Sequence, residues 1–248
     1  MFMKKHHWTI GLGIIFVLIL FAIFVARPHL VTAPEQTHII PLSIESIKET
    51  SSTTPSVSIE YPQFTGLDKF NKTIRDAVLG RLANFRKEAS ENSAARLATA
   101  DPKANIPDNA YSFITTWQIG QINNHYISFI IRFDSFVGGA NDIQEVQTFN
   151  YDLIGQKIIN LGDLFQNDSK YLATLSTQIR AQLTNTLKSE ANGDIETDML
   201  NSGTEPLAEN FQNFTFNDYS ITFYFPKYAV APGSFGEQQV VIPKSAVQ

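Results

Sequence analysis

A chain of 248 residues, 43% of them hydrophobic, can build one sizeable core or two small ones, and we expect one compact unit. Its formal charge of -5 is modest and its Lys and Arg residues are scattered, which excludes the basic footprint of a nucleic-acid binder. There is no cysteine, so a disulfide framework, a thiolate metal site and a lipidated cysteine anchor are all excluded, and stability must come from packing.

From Trp8 to Ala26 every residue is apolar or small apart from Thr9. As a helix this run would measure about 28 Å at about 1.5 Å per residue, close to the roughly 30 Å hydrocarbon core of a bilayer. Lys4 and Lys5 precede it and Arg27 follows, so the charge bias places residues 1–7 in the cytoplasm and everything after residue 26 outside. The expectation is a retained single-pass anchor over 8–26; the alternative is a cleaved signal peptide ending at Val31-Thr32-Ala33. Residues 27–55 are rich in Pro, Ser and Thr with a short apolar alternation from Ile39 to Ile47, and read as an extracytoplasmic tether holding one loosely kept strand at its end.

The folded domain is expected over 56–248. Val57 to Tyr61 alternates as a strand and stops at Pro62. From Gly66 to Lys87, Leu67, Phe70, Ile74, Val78, Leu82 and Phe85 recur at three- and four-residue steps, which predicts an amphipathic helix opened by a Thr65/Asp68 capping box. Helical character continues to about Ala100, where Asp101-Pro102 stops it. From Ala110, Tyr111, Phe113, Trp117 and Ile119 alternate with polar residues up to an Asn123-Asn124 turn.

The clearest signal is a hairpin from Tyr126 to Leu153 around the bend Gly138-Gly139-Ala140-Asn141. On its first arm Ile127, Phe129, Ile131 and Phe133 share a face, leaving Ile130 as the one apolar residue on the wetter side; on its second arm Phe149, Tyr151 and Leu153 share a face. Three antiparallel strands in sequence make a meander. Asp168 or Ser169 is expected to cap a second amphipathic helix carrying Leu172, Leu175, Ile179, Leu183 and Leu187. Phe214 to Phe216 and Tyr219 to Phe225 then read as a hairpin, with Tyr219, Ile221, Phe223 and Phe225 on one face. An irregular loop from Tyr228 to Gly236 leads to a last strand at Gln239 to Pro243. The fold class implied is α+β: an antiparallel sheet of hairpins with two amphipathic helices on one face, preceded by one transmembrane helix.

Chemistry is sparse. Only His125 of the five histidines falls in the folded part, beside a turn, so a histidine zinc site is not expected. The dense acidic loop that calcium requires is missing, and no metal or cofactor is expected. Asp134, Asp142, Asp152 and Asp163 fall near the ends or turns of the central strands, where a carboxylate pair could serve glycoside hydrolysis; ordinary surface chemistry is the favoured reading. Gly233-Ser234-Phe235-Gly236 lacks the spacing of a nucleophile elbow. Nearly all aromatics fall on the apolar phase of their strands, whereas Tyr224, Tyr228 and Phe235 lie off that phase or in the loop and are expected to be exposed.

Three stretches resemble one bacterial extracytoplasmic domain: Ser58 to Pro62 with the helix after it; Gly138 to Asn141 followed by Thr148 to Leu153 and Leu161 to Phe165; and Phe223 to Pro226 through Pro232-Gly233 to Val240-Val-Ile-Pro243. The domain is shared by RsiV-type lysozyme-sensing anti-sigma factors and PdaC-type peptidoglycan deacetylases. Asn141 stands where that family usually has histidine. The resemblance implies an envelope-facing recognition or scaffold domain without the sigma-factor or deacetylase module.

The expected function is thus a membrane-anchored binding or sensing module, not an enzyme, at the bacterial cell membrane, engaging peptidoglycan, a lysozyme-like protein or another envelope protein. A peptidoglycan hydrolase using the aspartates and a passive structural domain are the alternatives. The candidate binding residues are Gly138, Gly139 and Asn141 on the bend, and Tyr228 and Phe235 in the later loop.

Overall fold

The computed structural model describes residues 40–50, 55–99, 111–139, 141–165, 168 and 170–246. The chain divides into residues 1–37 and a compact unit from His38 to Gln248. The apolar run over 8–26 lies outside the described residues, and among the described residues no helix is long and apolar enough to cross a membrane.

The alternation after Ile39 forms β1 (Leu42–Glu49), so the segment expected as a tether carries an edge strand; it pairs along its whole length with β2 (Ser56–Phe64). The 32-residue helix α1 (Asp68–Thr99) follows, then β3 (Ser112–Ile122), β4 (Tyr126–Phe136), β5 (Ile143–Asp152) and the short β6 (Lys157–Ile158). These six strands form one sheet in sequence order. The meander of β3, β4 and β5 is antiparallel as the turn chemistry predicts. Asn123 Oδ1 accepts from the backbone N–H groups of His125 and Tyr126, which turns the chain there. β2 and β3, in contrast, pair in parallel, because α1 carries the chain back across the sheet between them. The start of α1 is tied to β2 by Asn71, whose side chain accepts from Phe64 N–H and donates to Phe64 C=O, both at 2.8 Å.

α1 buries Phe70, Ile74, Val78, Leu82 and Phe85 against Ile59, Phe113, Phe129, Ile131, Phe133 and Phe149. Phe70 stacks on Tyr151 with ring centroids 4.5 Å apart, and Phe129 stacks on Phe149 at 5.1 Å, a cross-strand pair of the kind that fixes register.

The second half repeats the scheme. After a 3-10 turn at Leu161–Leu164 come α2 (Tyr171–Ala191) and the short α3 (Thr197–Gly203). A second 3-10 turn at Ala208–Phe211 precedes a three-stranded antiparallel sheet of β7 (Phe214–Phe216), β8 (Ser220–Phe225) and β9 (Gln238–Pro243). α2 packs Leu175, Ile179, Leu183 and Leu187 on Phe214, Phe216, Ile221, Phe223, Val240 and Ile242. Its first residue is preceded by Lys170, whose N–H donates to Asp168 Oδ1 at 2.7 Å; Asp168 thus organises the entry without being the cap residue.

Four expectations are corrected here. The helices do not share one face of one sheet: each covers its own sheet, giving the layer order helix, sheet, sheet, helix. Nor is the second face of the central hairpin wet. β7 runs across β3, β4 and β5 on that face. Ile130 is fully buried and clusters with Val146 and Tyr224, so Tyr224, expected to be exposed, is 5% exposed. The polar residues of this face serve β7: Ser128 Oγ accepts from Phe216 N–H at 2.9 Å and Asn150 Nδ2 donates to Phe214 C=O at 2.8 Å, while Ser128 donates to Asn150 Oδ1 at 2.6 Å. Tyr219, expected on the apolar face with Ile221, is 83% exposed, because Asn217 Oδ1 accepts from the N–H groups of Tyr219 and Ser220 and makes a turn of this stretch.

Candidate functional site

The β4–β5 bend and the β8–β9 loop meet at one end of the molecule. Lys227, just past Pro226, reaches Asp142, with Nζ 3.1 Å from Oδ1. Arg132 on β4 makes a two-pronged ion pair with Glu237, Nε to Oε2 and Nη2 to Oε1 both at 2.9 Å. Both side chains are largely buried, and the guanidinium also lies 5.5 Å from the Tyr224 ring centre. A planar fork held in this way fixes direction as well as distance. Around these pairs lies a cleft of about 310 Å³ that also admits Asp134 and Gln144.

Burial pushes the Asp134 carboxyl above its ordinary range, and the negative charges of Asp142 and Glu237 push it the same way against the opposing pull of Arg132 and the hydrogen bond from Gln144. Asp142 moves the other way, held low chiefly by its hydrogen bond from Lys227. The two neighbouring carboxyls are thus shifted in opposite directions.

Tyr228, next in the chain to Lys227, faces a different space. It lines a groove of about 610 Å³ between α3, the 3-10 turn at Ala208–Phe211 and the end of β8; Pro226 lines both this groove and the charged cleft. The Tyr228 backbone has φ 73°, a left-handed conformation that a bulky residue adopts only when its surroundings impose it. Its ring lies where a Cβ on Gly233 would stand, so the absence of a side chain at Gly233 makes the seat for the ring. The ring is nonetheless 53% exposed, a rigid aromatic plate on the wall of the groove.

The five sequence candidates distribute unevenly. Tyr228 lines the groove; Phe235 is half-buried and packs on the core of the second half. Gly138 has φ 82°, and a Cβ there would stand 2.8 Å from the Tyr111 ring, whereas Gly139 has open space around it; of the two, Gly138 alone sits where only glycine is at ease. Asn141 is exposed on the bend beside Asp142, and it is this neighbour that touches the loop. The four aspartates separate into two groups. Asp134 and Asp142 sit at the cleft. Asp152 and Asp163 lie beyond the other end of the hairpin, where Asp152 Oδ1 accepts from Ile154 and Gly155 N–H, and Asp163 Oδ2 accepts from Asn160 N–H. Arg132, Lys227, Gly233 and Glu237 were not foreseen. Arg132 and Glu237 are 105 residues apart, a separation that no local pattern spans. Among the described residues no group of three or more His, Cys, Asp or Glu side chains could hold a metal ion.

Comparison with known proteins matches the chain in two parts, the first ending at the start of β5 and the second covering the second half of the fold. Residues 47–143 match the family described as deacetylase PdaC, and residues 162–245 match a protein family of unknown function, DUF3298. The peptidoglycan-N-acetylmuramic acid deacetylase PdaC of Bacillus subtilis is 27% identical over 193 residues, which cover 77% of this chain and 38% of that protein. An esterase of Mycobacterium tuberculosis is 26% identical over 120 residues, 48% of this chain and 50% of the esterase. The chain therefore spans half or less of the length of these relatives. Crystal structures of DUF3298-family proteins from Bacteroides fragilis and Pseudomonas aeruginosa superpose with a TM-score of 0.54 each, at 16% and 18% identity, covering 84% of this chain and 92% of each of theirs; these show a shared fold.

Proposed function

We propose that the PdaC/DUF3298-like domain this chain carries is a binding module of the bacterial cell envelope, anchored in the cell membrane through residues 8–26 and engaging cell-wall glycan outside the cytoplasm. The observation that carries this reading is Tyr228: a tyrosine held in a left-handed backbone, seated on Gly233 and still half exposed on the wall of a groove. Local strain of this kind persists where the surroundings over-determine it, and such positions cluster at ligand-contacting sites. An amphipathic ring beside amide groups matches the faces of a sugar, apolar on the ring C–H side and hydroxyl-rich at the edge. The resemblance to a peptidoglycan deacetylase supports glycan as the ligand class.

The test is sedimentation of the full-length detergent-solubilised chain with purified insoluble peptidoglycan. Tyr228→Gly removes the ring and relieves the left-handed strain, so the melting temperature holds or rises while co-sedimentation is lost. Undiminished co-sedimentation of that variant would remove the groove from consideration. Capture of lysozyme by the wild-type chain without glycan binding would move the function to a protein partner.

A second reading rests on Asp134 and Asp142, whose surroundings drive their protonation apart as a general acid and its companion carboxylate require. Release of soluble reducing ends from peptidoglycan, abolished in Asp134→Asn, would establish a hydrolase.

A further inference from the structure

The groove that Tyr228 walls does not stop at the 3-10 turn Ala208–Phe211. A second groove of about 570 Å³ opens on the far side of that turn, between α1, β5, the 3-10 turn at Leu161–Leu164 and the start of α2. Glu209 and Gln212 line both grooves, and both side chains are exposed. The turn is therefore a low saddle between two adjoining spaces. Each space is on the scale of a small-ligand site, roughly 300–1,000 Å³.

Their linings share one electrostatic character. No Lys, Arg or His lines either groove. The first carries Glu196, Asp198 and Glu209; the second has Glu209 alone with the hydroxyls and amides of Thr73, Gln147, Thr148 and Asn160 above an apolar floor that includes Phe149 and Leu161. The basic residues nearest the first groove lie behind its aromatic wall and are already paired: Lys227 is 5.7 Å from the Tyr228 ring centre and bonded to Asp142, and Arg132 is 5.5 Å from the Tyr224 ring centre and bonded to Glu237. An anionic polymer would meet the carboxylates of the first groove while the nearby cations are already neutralised by Asp142 and Glu237, and like-charge juxtaposition of this kind is disfavoured. A polyol needs neither charge; it needs hydroxyl and amide partners around an apolar surface, and both grooves offer them.

The geometry points to a single extended site, running from Tyr228 over the Glu209–Gln212 saddle to Thr73, that takes an uncharged or amine-bearing glycan chain several sugars long in preference to a disaccharide or to an anionic polymer. This inference rests on the glycan reading above and adds to it the length and charge class of the ligand. Two subsites on one chain reinforce each other, since occupation of the first raises the local concentration at the second. The carboxylates of the first groove also make it a suitable receiver for sugars whose N-acetyl group has been removed, leaving an ammonium, so that a deacetylation reaction would improve the ligand.

Calorimetric titration of the full-length chain in detergent tests this, with chitobiose, chitohexaose and polygalacturonate as probes. Chitohexaose is expected to bind about tenfold more tightly than chitobiose, and polygalacturonate not at all. Thr73 is exposed on α1 at the far rim, so Thr73→Trp plugs the second groove without entering the core. In that variant the chitohexaose affinity should fall to the chitobiose value while chitobiose binding is unchanged. Equal affinities for the two lengths in the wild-type chain, a Thr73→Trp variant that keeps the length preference, or tight binding of polygalacturonate would each overturn the extended site while leaving glycan binding intact. If neither chito-oligosaccharide binds, the glycan reading itself fails and the extended site falls with it.

Discussion

Both halves of this molecule place one helix on one sheet, yet they use their connections differently. In the first half the links between β3, β4 and β5 are short turns, set at one by the Asn123 side chain and at the other by the positive φ of Gly138, and nearly all large side chains on the helix-facing side are buried. In the second half the chain from Asn192 to Asn213 and from Pro226 to Glu237 is made of short helices, 3-10 turns and loops, and these two stretches supply most of the groove wall and part of the charged cleft. The difference teaches a division of labour. The first half is scaffold, and the second half builds the groove-bearing surface on it.

The hardest blow to that scaffold is Phe129→Ala. Phe129 is fully buried and touches Phe64, Phe70 and Phe149. Its truncation should cost about 3–5 kcal/mol in chemical denaturation, and both halves should unfold together; a loss confined to the first half would mean that the halves are independent. Next comes Asn150→Ala, which leaves the buried Phe214 carbonyl without its donor and Ser128 without its acceptor. A loss of about 1–3 kcal/mol is expected, with hydrogen exchange quickened over β7 and β8 while β4 stays protected. Equal quickening in β4 would show that the dependence runs both ways.

At the bend the two glycines separate sharply. Gly138→Val must force a β-branched residue into positive φ against the Tyr111 ring and should cost about 1–3 kcal/mol, whereas Gly139→Val points into open space and should stay within about 0.5 kcal/mol. The smallest effect is electrostatic. Because the folded state raises the Asp134 pKa, the stability linked to its proton is present below the unfolded value of about 3.9 and lost as pH rises through the folded value. Asp134→Asn should therefore raise the melting temperature at pH 7 and lose that advantage below about pH 3.9. An advantage that persisted in acid would point to packing in place of charge.

The sequence made much of the architecture legible, and the reasons are local. Period-two runs marked β4, β5, β8 and β9, and three- and four-residue spacing marked α1 and α2, because each of these elements buries one face continuously. What could not be read was the second face of the central hairpin. Ser128 and Asn150 look like solvent-facing residues, since a small polar side chain gives the same signal whether its partner is water or the backbone of another strand. The parallel pairing of β2 with β3 was hidden for a similar reason: nothing within either strand records what a 32-residue helix between them does to their order. The site divides in the same way. Tyr228 stood out as an aromatic in a Pro/Gly loop, while Gly233 shows its purpose only once the ring is seen resting on it, and the Arg132–Glu237 pair is legible only in three dimensions.

The outer edge of β7 carries a final implication, concerning time. Its main-chain groups at Phe214 and Phe216 find partners in the side chains of Thr148, Asn150 and Ser128, and these converge only after β4 and β5 have paired. Before that moment a three-residue strand has little to hold it. Folding should thus be sequential, with the earlier-synthesised segment acting as a template on which the later one condenses. The groove would then stay unformed until the platform beneath was complete, so ligand could select only chains that had already finished folding.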